Sequence, residues 1–156
     1  MSARLFLSAM LLLASSAAFA QQPATAPAPQ LTPAQQTQVN QQNQQMVQAA
    51  VLVVQMVDQG KSDNVWDGAS PVAKKIVAKD AFVKQVAADR KMLGAVKSRS
   101  VASIGRSSGG GAAPAGNYVN VAFATQFANA KAPVRELVSF HLDSDNQWRV
   151  TGYTLR

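Results

Sequence analysis

The hydrophobic period of the chain changes at Gly94, and this change restricts the fold more than any other feature. Before it, apolar residues recur at helical spacing. Val47, Ala50, Val51, Val54 and Val57 form one stripe, and Phe82, Val83, Val86 and Leu93 form another. After it they alternate. Val96–Ile104 carries Lys97 and Arg99 on one face, and Asn117–Phe127 places Val119, Val121, Phe123 and Phe127 in phase. Val134–Leu142 does the same with Val134, Val138, Phe140 and Leu142, and Trp148–Leu155 reads as a last strand. Helices followed by strands predict an α+β fold, in which N-terminal helices pack on a curved antiparallel sheet of about four strands that wraps the long first helix.

Punctuation residues set the expected boundaries. Thr32-Pro33-Ala34-Gln35 reads as a helix start, with Thr32 as N-cap, Pro33 in the first turn and Gln35 reaching back. The stretch that follows, to Gln45, is nearly all Gln, Asn and Thr. A helix polar all round has no face to bury, so this part is expected to fray or project. Gly60 is placed to end the helix, and a loop with Asp63 and Trp66 then leads to Ser70-Pro71. A short helix from there to about Ala78 and a third helix N-capped by Asp80 complete the helical half. Gly105–Gly116 reads as a flexible hairpin loop, and Asp143-Ser144-Asp145-Asn146 as a turn.

The N-terminus adds a destination. Arg4 precedes an apolar run from Leu5 to Ala14, and Ala18-Phe19-Ala20 offers small residues where a signal peptidase cuts. The run is shorter than the ~20 residues a membrane span needs. A cleavable signal peptide at 1–20 is therefore expected, cut between Ala20 and Gln21, with the product soluble in the periplasm or secreted. No cysteine follows the cut, which excludes a lipid anchor there as well as disulfides and thiol chemistry. Residues 21–45, opening on Pro23, Pro27 and Pro29, read as a flexible Pro/Gln-rich segment, and 46–156 as one domain. The formal charge of +7 falls to +6 without Arg4, which is still clearly basic. That charge favours anionic envelope polymers or an envelope protein as partner, although scattered basic residues also serve ordinary solubility; no specific nucleic acid is expected.

The residues Asp58-Gln59-Gly60, Trp66, Arg90, Leu93-Gly94 and Ser98-Arg99 resemble those of a bacterial family. So do Gly116-Asn117-Tyr118-Val119, Phe123, Phe127, Trp148-Arg149-Val150 and Gly152-Tyr153. It is the domain of unknown function numbered 4019, found mostly in small exported proteins, and the resemblance covers about Val47 to Arg156. Members often have tryptophan where this chain has Phe82, and a less glycine-rich central loop. The resemblance implies a fold similar to the cystatin-like or ketosteroid-isomerase-like roll. It implies no activity.

Few groups here can carry chemistry. The Gly105–Gly111 run lacks the lysine and the following helix of a phosphate-binding P-loop. The turn at Asp143 lacks the glycine and glutamate of a calcium loop, and His141 is the only histidine, so no metal and no cofactor are expected. A Ser-His-Asp triad is open by composition, but no nucleophile elbow accompanies His141. Trp66 and Trp148 are expected to anchor the core. Glu136, in phase with Val134, Val138 and Phe140, points into the interior; it either pairs with an arginine or acts as a base. Arg90 and Arg99 either brace the turn after the third helix, against Asp89 or Glu136, or receive an anion. Tyr153 is a strand tyrosine that either bonds at the sheet edge or donates into a pocket. Arg90, Arg99, Glu136 and Tyr153 are thus the candidate ligand-binding residues, with no catalytic residue assigned. The expected function is a non-enzymatic binding or interaction module of the cell envelope. The alternative is a small-molecule-binding or isomerase-like enzyme inside the roll, with Glu136 as base and Tyr153 as donor.

Overall fold

The computed structural model describes residues 31–156 apart from Ala112; the expected signal peptide and residues 21–30 lie outside the described residues. Four helices precede four strands. The helices are α1 (Pro33–Asp58), α2 (Ser62–Asp67), α3 (Pro71–Ile76) and α4 (Lys79–Leu93). The strands are β1 (Val96–Ser107), β2 (Tyr118–Phe127), β3 (Val134–Leu142) and β4 (Trp148–Leu155). They form one open antiparallel sheet in the order β1-β2-β3-β4. The fold is α+β, with the N-terminal helices packed on the sheet.

Helix α1 starts at the expected capping box: the Thr32 hydroxyl accepts from the Gln35 amide, and the Gln35 side chain accepts from the Thr32 amide. The polar stretch, expected to fray or project, is helical, mostly exposed and continuous with the buried half of α1. Glutamine is a good helix former, no proline or glycine interrupts the run, and the packed residues from Met46 onward hold the end of a helix that the cap starts. Gln42, within this stretch, accepts from Arg106 of β1 at 2.7 Å.

Other differences are local. The segment with Asp63 and Trp66, expected to be a loop, forms the short helix α2. Asp80 lies inside the first turn of α4 rather than at its N-cap, which is Ala78. There its charge still favours the helix terminus. The Ser70 cap of α3 is present, its hydroxyl accepting from the Val72 amide.

The core lies between α1 and the face of the sheet that carries Val119, Val121, Phe123, Val138 and Phe140. Ala50, Val53, Val54 and Val57 of α1 meet them. Each such side chain contributes about 1.5–3 kcal/mol on burial if valine-sized or larger. The tryptophans do not anchor this centre. Trp66 and Trp148 are half-buried at its rim, and Phe123 and Phe127 are the largest side chains fully enclosed. Trp66 instead closes α3, donating from its ring nitrogen to the Val77 carbonyl at 3.2 Å.

Candidate functional site

Strand register puts one polar residue from each strand into a single row across the helix-facing side of the sheet. Arg99 on β1 is opposite Thr125 on β2. Glu136 on β3 is opposite Phe123, and so is the diagonal neighbour of Thr125. Tyr153 on β4 is opposite Val138, two residues along from Glu136 on the same face. Side-chain contacts join the row. Arg99 donates to both oxygens of Glu136, at 2.6 Å from Nε to Oε2 and 3.2 Å from NH2 to Oε1. Thr125 donates to Oε2 at 2.7 Å, and Tyr153 to Oε1 at 2.7 Å.

The helices close the row at one end. Asp58, the last residue of α1, accepts from Arg99 NH1 and NH2 at 2.8 and 3.0 Å. It also accepts from Arg90 NH2, on α4, at 2.7 Å. Arg90 lies over the ring of Phe127 with 4.9 Å between its guanidinium carbon and the ring centroid, and its NH1 is 3.7 Å from Glu136 Oε1. NH1 is buried and has no hydrogen-bond partner among the described residues.

All four candidate residues, Arg90, Arg99, Glu136 and Tyr153, thus meet in one cluster, and they meet each other. Glu136 is fully enclosed, and its four lone-pair positions are taken by Arg99 (twice), Thr125 and Tyr153. Two guanidinium and two carboxylate groups balance in charge. Burial works to lower the pKa of Arg99, but the bonds from Asp58 and Glu136 outweigh it and raise the value. Burial, with the charge of Glu136 behind it, pushes the Tyr153 phenol well above its ordinary value, so it stays a neutral donor. The arginines brace against Glu136 and Asp58; Asp89, the other expected partner, accepts from Gln85 instead.

Asp58 and Thr125 were missed by sequence reasoning. Thr125 lies in phase with Phe123 and Phe127, which is a readable signal; Asp58 reads as an ordinary helix-end carboxylate. Asp58, Arg90, Arg99 and Tyr153 are all among the residues that carry the family resemblance.

A second cluster ties the β3–β4 turn to α3. Asp143 Oδ1 accepts from Ser70 Oγ at 2.5 Å and bonds His141 Nδ1 at 2.7 Å, while its Oδ2 accepts from Arg149 at 2.9 Å. Burial alone would raise the Asp143 pKa, but these three partners hold it below the ordinary carboxylate range. Arg149 also takes Asp145, whose carboxyl is lowered to about 2 mainly by that bond. Serine, histidine and aspartate are therefore together without forming a nucleophilic triad. The hydroxyl bonds the carboxylate and not the imidazole, so nothing draws off its proton. The His141 ring packs tilted against that of Tyr118, at 56° and 4.9 Å between centroids, and its Nε2 lies against Gly116, where any Cβ would collide with it. The turn itself forms as expected, with Asn146 at φ 59°. Among the described residues no three carboxylate or histidine side chains are grouped to hold a metal.

Tyr153 also lines a recess of about 250 Å³ between β4 and the short helices, walled by Trp66, Ile76, Val77 and Phe82. A second, more open groove of about 320 Å³ lies between α3, the glycine loop and Tyr118.

The chain is one of the protein family described as "Protein of unknown function (DUF4019)", whose model matches residues 49–153. The match begins inside α1 and ends at Tyr153, so it spans the whole polar row. No curated protein matches the chain.

Proposed function

We propose that this protein is a non-enzymatic interaction module of the bacterial cell envelope, exported by a cleaved signal peptide and working through its surface. The observation that carries the reading is the saturation of Glu136. The one fully enclosed carboxylate has every acceptor position occupied by Arg99, Thr125 and Tyr153, so it braces the fold and has none left for a substrate proton. The isomerase-like alternative needs that oxygen free. The formal charge of +6 that remains without Arg4 supports an anionic envelope component or acidic partner as target.

The test is retention of the purified protein on envelope fractions across a salt series. Retention that falls as ionic strength rises supports the reading. No retention at low salt, together with no crosslinked partner in the periplasm, removes it.

A further inference from the structure

Strand order leaves β1 and β4 as the edges of the sheet, and the two edges differ. Two register shifts interrupt β1, and it exposes Lys97, devices that discourage another strand from pairing. On β4, Arg156 exchanges both backbone bonds with Arg135, at 2.8 and 2.9 Å. The antiparallel alternation then makes Thr154 and Gly152 the residues bonded to β3, and turns the N–H and C=O of Tyr153 and Leu155 outward. Among the described residues nothing bonds those outward groups; the nearest satisfied one is the Val150 carbonyl, which accepts from the Ser70 amide at 2.8 Å. The open edge runs along the apolar recess. On the recess wall Ile76 is 61% exposed and Val77 is 39% exposed. Lys74 and Lys75 stand on the same short helix, and Lys75 has no acidic partner among the described residues.

We propose that the β4 edge captures an extended peptide as a fifth strand, resting on the interaction-module reading. The outward groups of Tyr153 and Leu155 pair with the peptide backbone, a bulky apolar side chain enters the recess beside Tyr153, and acidic residues face Lys74 and Lys75. Backbone pairing supplies affinity and the recess supplies selectivity. The partner is an acidic peptide rather than a second copy, because two mature chains, each of formal charge +6 without Arg4, repel.

The probe is a labelled peptide alternating glutamate with valine or phenylalanine, followed by fluorescence anisotropy. Two N-methylated forms, one blocked at the glutamate amides and one at the apolar amides, separate backbone pairing from charge. Only the form blocked on the β4-facing side should lose affinity, by roughly tenfold per lost bond. Leu155→Pro, which removes one outward amide at an edge position that tolerates proline, and Ile76→Asp, at an exposed site, should each weaken the parent peptide similarly. Equal binding of both methylated forms overturns the proposal, as does a failure of the parent peptide to bind. A dimer in sedimentation that Leu155→Pro dissolves also overturns it, in favour of self-pairing. If the peptide fails while salt-sensitive retention on envelope fractions persists, the interaction reading stands without this site; if retention fails as well, both fall.

Discussion

Glu136 has the most to lose of any single residue. Glu136→Gln keeps the volume but removes a charge that two guanidinium groups face, leaving Asp58 alone to balance Arg90 and Arg99. Breaking a buried pair from one side costs on the order of 3–5 kcal/mol. Urea unfolding of this variant should show a loss of that size, and an unchanged midpoint would contradict the enclosed network. Asp143 makes a separate prediction in pH. Its folded-state pKa lies below the ordinary 3.8, so its stabilisation is complete above that value and is lost as pH falls through the lowered one. Thermal melts of Asp143→Asn should therefore be less stable than wild type at pH 6, with the gap closing toward pH 2. That Glu136 is internal was legible from its phase with Val138 and Phe140, and pairing with Arg99 was one of the two readings its position allowed. The rest of the cluster depends on register, because Thr125 and Tyr153 reach Glu136 only along diagonals that no single strand reveals.

The elements were legible wherever a repeat had room to declare itself. Helix α1, helix α4 and the four strands each carry enough periods to be seen, and β3 and β4 have their expected limits. Helix α2 has six residues, fewer than two turns, so its pattern could not be told from a loop. The polar half of α1 keeps its helix where fraying was one of the two expectations: a capped helix already anchored downstream needs no apolar face in its first turns. Thr32→Ala should accordingly cost about 1 kcal/mol and loosen only those turns, seen as faster amide exchange before Met46. Gly94 presents the opposite case. It ends α4 at φ 77°, and a Cβ there would stand 2.9 Å from the Asn129 amide nitrogen, whose side chain bonds the Met92 carbonyl. Gly94→Ala should destabilise by about 1–3 kcal/mol, measurable as a lower Tm.

At the scale of the molecule, the class of fold followed from the order of the two periodicities, whereas the arrangement of the sheet did not. Alternation predicts strands, and short connections predict antiparallel neighbours, yet nothing in the strands announced which edge would stay open. The recess beside β4 depends on where α2 and α3 sit, and neither is long enough to fix its own position. Destination belongs to this scale too. Mass spectrometry of the protein recovered from the periplasm should show a chain beginning at Gln21, and recovery with Met1 retained would contradict the export reading.

The row of Arg99, Thr125, Glu136 and Tyr153 also sets an order of events. A chain made from its N-terminus places the demanding residue third and its last donor 17 positions later. Until β4 arrives, Glu136 lacks Tyr153, and the sheet cannot close over its carboxylate without loss. Arg99 bonds Glu136, 37 residues downstream, and Asp58, 41 residues upstream, so the docking of β1 on both waits for a strand made after it. The nascent domain is thus held back from completing this row until β4 has been made. A transcript cut short before Tyr153 should yield a product that proteases remove.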